Sequence, residues 1–154
     1  MVIICDNFQS PQNVGMAFRI SEIMGVQHLY LLGNCPTPPS PKIKKTARQA
    51  DKLVPFSVHA DSIALCQQLK QQEYTLIGVE ITNQSQSIHK WQLPPMTKLA
   101  LLFGAERSGI SDELLQIVDD CIHIPMYGQL SSMNVVMAMS ISLYELTKQW
   151  TSNQ

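Results

Sequence analysis

The sequence predicts an α/β domain with a mostly parallel sheet flanked by helices. Three observations carry this expectation. Uninterrupted apolar runs such as Val2–Cys5 and Leu99–Phe103 have the composition of strands buried on both faces. Stretches with helical spacing of apolar residues alternate with those runs, which is the order that builds parallel sheets. The first run, the first helical stretch and the second run fall within about 30 residues, the length of a βαβ unit with a right-handed crossover.

Val2–Cys5 is the first strand, bounded by Asp6 and Asn7. A helix follows, with Asn13 as N-cap, Val14, Ala17, Phe18, Ile20 and Ile23 as apolar positions and Gly25 as its stop. His28–Leu32 is the second strand, ending at Gly33. Pro36, Pro38, Pro39 and Pro41 stiffen the next loop, and Ser40-Pro41 starts a short helix carrying Lys42, Lys44, Lys45 and Arg48. Residues 60–72 suit a helix capped by Asp61, with Ile63, Leu65, Cys66 and Leu69 turned inward. Tyr74–Val79 is a strand, and residues 81–97, rich in Asn, Gln, Ser and Pro, form a long loop of a length that often carries function. Leu99–Phe103 is a strand that runs into Gly104, Ser111 starts a helix, and Ile122–Pro125 is the last strand. Residues 134–150 close the domain as a helix that is apolar over much of its circumference, through Val135, Val136, Met139, Ile141, Leu143, Tyr144 and Leu146. Such a helix must be buried on more than one side.

At 154 residues, 45% apolar and 15% charged, the chain is one folded unit with a sizeable core. Eleven Lys and Arg against twelve Asp and Glu give a net charge of -1, which excludes a globally basic nucleic-acid coat but leaves room for a local patch. Cys5, Cys35, Cys66 and Cys121 form no Cys-x-x-Cys pair, so reduced thiols in a cytoplasmic protein are expected and a structural zinc site is not. His28, His59, His89 and His123 show no ligand spacing, and no metal is expected at them. No run reaches the length of a membrane span, and the N-terminus has no basic leader.

Strand ends followed by glycine or a helix start are where open parallel sheets bind ligands. Three segments have that form: Asn13 to Arg19, Phe103 to Ser111, and Ile124 to Asn134. The second has the glycine spacing of a phosphate-cradling P-loop at Gly104 and Gly109, but Ile110 stands where the phosphate-binding lysine would be, so a nucleotide triphosphatase is disfavoured. Taken singly, Arg19 is a solvated arginine or a partner of Glu22, Glu106 a loop residue, and Ser132 and Asn134 helix caps.

Taken together, Asn13-x-Gly15-x-x-x-Arg19, Phe103-Gly104-x-Glu106-x-x-Gly109-Ile110-Ser111, and Ile124-Pro125-Met126 with Ser132-Met133-Asn134 resemble the three motifs of the SpoU (TrmH-like) branch of the SPOUT RNA methyltransferases, in the right order and across nearly the whole chain. Met133 stands where leucine is common, a change of similar volume. The resemblance implies a Rossmann-like fold with a C-terminal deep trefoil knot, a homodimer, and S-adenosylmethionine-dependent 2′-O-methylation of a ribose in RNA. It implies catalytic roles for Arg19, Asn13, Glu106, Ser132 and Asn134.

A ribose 2′-hydroxyl is a poor nucleophile and must be deprotonated and aligned with the methyl group. A guanidinium normally stays protonated, so Arg19 is expected to clamp the neighbouring phosphate and lower the hydroxyl pKa, with the phosphate or a transiently neutral arginine taking the proton. Val79, Glu80, Gly104, Gly109, Ile124, Ser132 and Met133 are the expected donor-binding residues, and Lys42, Lys44, Lys45 and Arg48 the expected phosphate track. The whole chain, 1–154, is expected to be this one catalytic domain, with no separate RNA-binding domain. tRNA is preferred to rRNA as substrate, and a non-catalytic RNA-binding protein retaining the fold is the competing reading.

Overall fold

The structure, a computed structural model, describes residues 1–94 and 98–152. Among them run strands β1 (Val2–Asp6), β2 (His28–Leu32), β3 (Phe56–His59), β4 (Tyr74–Val79), β5 (Gln86–Ser87), β6 (Lys98–Phe103) and β7 (Asp120–His123). The helices are α1 (Pro11–Ile23), α2 (Pro41–Ala47), α3 (Ala50–Leu53), α4 (Ser62–Gln71), α5 (Asp112–Leu115) and α6 (Val135–Ser152). The strands form one sheet in the order β3-β2-β1-β6-β4-β7-β5, and every pairing between them is parallel.

The apolar runs are continuous because they serve two cores. In β1, Ile3 and Cys5 face a cluster with Val14, Ala17 and Phe18 of α1 and Met139, Leu143 and Leu146 of α6. Val2 and Ile4 face the other side, with Leu65, Cys66 and Leu69 of α4. Burying a side chain of this size contributes about 1.5–3 kcal/mol, so the doubly covered strands anchor the sheet.

The sheet is not laid down in spatial order. After β4 and β5 have formed one edge, the chain returns to place β6 between β1 and β4, and then β7 between β4 and β5. The connections from β1 and from β6 lead in opposite directions, which opens a crevice at the carboxyl ends of these two strands.

Several local expectations are corrected. Asn13 does not cap α1; Ser10 does, accepting from the Asn13 amide, with Pro11 in the first helical turn. Gly25 does end the helix: at φ 67 its amide bonds to the Glu22 carbonyl, and the Val26 amide bonds to the Ser21 carbonyl. The last strand begins two residues earlier than its apolar run, at Asp120, because its register is set by pairing with Ile77 of β4. The long loop expected over 81–97 is irregular over most of 81–94, but it contains the two-residue β5 and buries Ile88, Trp91 and Leu93; residues 95–97 lie outside the described residues, as do the terminal 153–154. Finally, α6 is not buried all round within one chain. Met137, Ile141 and Tyr144 form an exposed stripe, at 59%, 41% and 67% of full exposure.

Candidate active site

The three motif segments meet at the crevice. After β6 the backbone reverses between Ala105 and Gly109, where the Gly109 amide donates to the Ala105 carbonyl at 2.9 Å. This turn needs glycine at both ends. Gly109 has φ 67, and a Cβ there would run into the Glu80 carboxylate; a Cβ on Gly104 would strike the backbone of Gly109 and Ile110. Glu80, just past β4, pins the turn through Oε2, which accepts from the Ile110 amide at 3.1 Å, while Oε1 accepts from the Ile81 amide at 2.9 Å.

Glu106 reaches from the turn to the start of α1. Its Oε2 accepts from the Gln9 amide at 2.8 Å, and its Oε1 from the Ser10 amide at 3.1 Å and from Asn13 Nδ2 at 2.8 Å. Asn13 Oδ1 in turn accepts from Asn134 Nδ2 at 3.3 Å, and Asn134 Oδ1 accepts from the Val136 amide at 2.8 Å, which caps α6. One hydrogen-bonded chain, Glu106–Asn13–Asn134, thus joins the three segments. The displaced cap explains why Asn13 is available: Ser10 satisfies the helix end, so the Asn13 amide group turns to Glu106.

Partial burial pushes the Glu106 carboxyl up, but the bonds from the Gln9 amide, the Asn13 side chain, its own amide and the Ser10 amide outweigh it and hold the group below its ordinary value of 4.5. A carboxylate held in this way is a weak base, so its geometry suits positioning better than proton removal. The thiols are inert in the same physical sense: burial raises Cys5 well above its usual range and Cys35 and Cys66 to about 11.

A cavity opens beside this chain of bonds. The structure brings Val79, Glu80, Gly104, Gly109, Ile124, Ser132 and Met133 to its wall, together with Glu106. The apolar walls, extended by Phe103 and Val135, suit a flat heteroaromatic ring, and the Glu80 and Glu106 oxygens suit hydroxyl groups and positive charge. That donor set fits an adenosine bearing a sulfonium. Arg107 of the second segment, Met126 of the third and His123 also line the cavity, beyond the donor-binding residues expected from the sequence. The position of His123 at the carboxyl end of a strand was the available signal for it.

Arg19 is not brought to this cavity within one chain. It is exposed on α1, between Met16 (39% exposed) and Ile23 (61% exposed) on the same face of the helix. Lys42, Lys44, Lys45 and Arg48 are likewise exposed, on α2 and at its end. That helix lies against α1 at Gly15, where a Cβ would strike Thr46 Oγ1 and the Ile43 carbonyl. Thr46 Oγ1 also donates to the Gln12 carbonyl at 3.1 Å. The glycine of the first motif segment is therefore a helix-packing residue.

Comparison with known proteins gives a consistent setting. Residues 1–144 match the model of the SpoU rRNA Methylase family. The chain is 28% identical over 149 residues to the tRNA (guanosine(18)-2'-O)-methyltransferase of Thermus thermophilus, covering 97% of this chain and 75% of that protein. In fold it is similar to the SpoU methyltransferase AviRb from Streptomyces viridochromogenes, solved in complex with AdoMet (TM-score 0.89, 22% identity, 99% of this chain and 61% of that one). It is also similar in fold to a structure described as giving insights into the 2-OH methylation of C/U34 on tRNA (TM-score 0.86, 24% identity, 98% and 96%).

Proposed function

Because the chain belongs to the SpoU rRNA methylase family, we propose that it transfers a methyl group from S-adenosylmethionine to the 2′-hydroxyl of a ribose in RNA, with tRNA as substrate. The single observation that carries this reading is the Glu106–Asn13–Asn134 chain at the lip of a cavity whose wall suits adenosine. S-adenosylmethionine supplies an electrophilic methyl on a positively charged sulfur. The chain's own residues supply the rest. Val79, Ile124 and Met133 enclose the ring, the backbone from Gly104 to Gly109 reads its edge, and Glu80 takes the hydroxyls. Glu106, Asn13 and Asn134 fix the relative placement of α1, the turn and α6, while Ser132 shapes the wall towards the substrate.

Arg19 holds the phosphate next to the target ribose and lowers the pKa of the hydroxyl; the proton passes to that phosphate or to a transiently neutral guanidinium. Its exposure among apolar side chains supports action in a second copy of the chain. Met16 and Ile23 on α1, with Met137, Ile141 and Tyr144 on the adjoining α6, form an apolar face that such a copy would cover, giving a homodimer with sites shared between subunits. The late insertion of β6 and β7 into the sheet supports a deep trefoil knot in the C-terminal half. The α2 lysines extend the basic track for a cytoplasmic RNA.

Mass spectrometry of tRNA nucleosides from cells lacking the gene tests the reading. A ribose-methylated nucleoside should disappear and return when purified protein and S-adenosylmethionine are added; positions 18 and 34 are the first to read. An unchanged nucleoside profile, together with no heat of S-adenosylmethionine binding, refutes it.

A further inference from the structure

We propose that Arg107 is a phosphate-binding residue for the substrate RNA, holding a phosphodiester near the methylated ribose in a polar cleft that continues the donor cavity. The proposal rests on the methyltransferase reading above. The cleft shares Glu80, Ile81, Arg107 and Gly109 with the donor cavity and adds hydrogen-bonding groups from Thr82, Asn83 and Ser108.

Three facts single out Arg107. Among the described residues it is the one Lys or Arg in the lining of either space. It is exposed and, among the described residues, has no hydrogen bond or ion pair assigned to it. Two of the three carboxylates lining the spaces are already engaged, Glu106 with the Gln9 and Ser10 amides and Asn13, and Glu80 with the Ile110 and Ile81 amides; among the described residues no ion pair joins Arg107 to the third, Asp112. The guanidinium is therefore not held by its neighbours.

An RNA ribose cannot enter this mouth without its phosphates. Glu80, Glu106 and Asp112 line the two spaces, so an incoming phosphodiester meets negative charge except at Arg107. A guanidinium offers a planar fork that matches two phosphate oxygens. The donor makes a weaker claim on this side chain. It carries two positive centres against one carboxylate, so an acid-lined cavity suits it, and Arg107 also lines the second space, which lies outside the donor cavity.

The test compares wild type, Arg107→Ala and Arg107→Lys, using tRNA prepared from cells lacking the gene, with S-adenosylmethionine affinity measured by calorimetry. For Arg107→Ala, tRNA affinity should fall roughly tenfold or more. The slope of log affinity against log salt should become shallower by about one. Donor affinity and melting temperature should stay at the wild-type values, and Arg107→Lys should recover part of the affinity because it keeps the charge but not the fork. Unchanged tRNA affinity and salt slope in Arg107→Ala overturn the proposal while leaving the methyltransferase reading intact. So does a loss confined to S-adenosylmethionine affinity, which would place the guanidinium on the donor's carboxylate instead. Failure of the wild-type chain to bind S-adenosylmethionine overturns both.

Discussion

The turn around Gly104 and Gly109 and the outer face of α1 and α6 are built on opposite principles. At the turn, the carboxylates meet donors from the same chain: Glu80 holds two loop amides, and Glu106 holds the start of α1. On the outer face, Met16 and Ile23 of α1 and Met137 and Tyr144 of α6 lie exposed, and Arg19, on the same face of α1 as Met16 and Ile23, has no hydrogen bond or ion pair among the described residues. The first region is pre-organised by one chain. The second is shaped for something outside it. In the proposed homodimer, a site drawing on both regions would hold its small ligand within each subunit and complete its chemistry only in the assembly.

The strongest test of this contrast is Arg19→Ala. Methyl transfer should fall by roughly 10²–10⁴-fold, the range for a group that assists proton removal, with donor binding unchanged in calorimetry. Mixing decides where the arginine acts. A heterodimer of Arg19→Ala with Met133→Glu, whose cavity wall carries a charge, should regain one working site if Arg19 serves the neighbouring subunit, and should stay inactive if it serves its own.

Next in size, Ile141→Asp should convert the proposed dimer to monomers in sedimentation experiments, with transfer activity lost alongside. A variant that remained dimeric and active would remove this face from the interface. Gly15→Ala probes packing inside the chain: overfilling the contact with Thr46 and the Ile43 carbonyl should cost about 1–3 kcal/mol in urea unfolding. No loss of stability would mean that the α1–α2 approach is looser than described.

The smallest effect is expected from Glu106→Gln. The folded state holds this carboxyl below 4.5, so its ionised form stabilises the wild-type protein above that pH, and the contribution fades as pH falls through the lower folded value. Melting temperatures should therefore differ most near neutrality and converge in acid below about 4.5. A gap that stayed constant down to pH 3 would show that the carboxylate charge contributes nothing to holding α1.

Legibility in the sequence followed the strength of the local signal. Asp61 caps α4 as expected, and Gly25 ends α1, because each acts through bonds to residues a few positions away. Ser10-Pro11 carries an equally local cap signal, a hydroxyl followed by proline in the first helical turn, three residues ahead of the Asn13 that the spacing predicts. Strand β3 is an edge strand whose Ser57 and His59 bond to each other, and β5 has only two residues, so neither has enough alternating apolar residues to be seen. In the site, glycine spacing and the acidic and amide residues were visible one by one. His123 is marked only by its place at a strand end and Arg107 only by its place beside Glu106 in the second segment, and neither position by itself separates a site residue from an ordinary surface one.

What the sequence determined by itself was the alternation of buried strands with helices and the residue types needed for the motifs, since burial on two faces and tight glycine turns each impose a local pattern. Only the tertiary structure decided that β6 and β7 are inserted between earlier strands, that Asn13 bonds to Glu106 and Asn134 instead of capping its helix, and that Arg19 is exposed and does not line its own chain's cavity. These outcomes depend on contacts between residues as far apart in the chain as Asn13 and Asn134. The geometry of such contacts is set by how whole layers pack, and no spacing within a single segment records it.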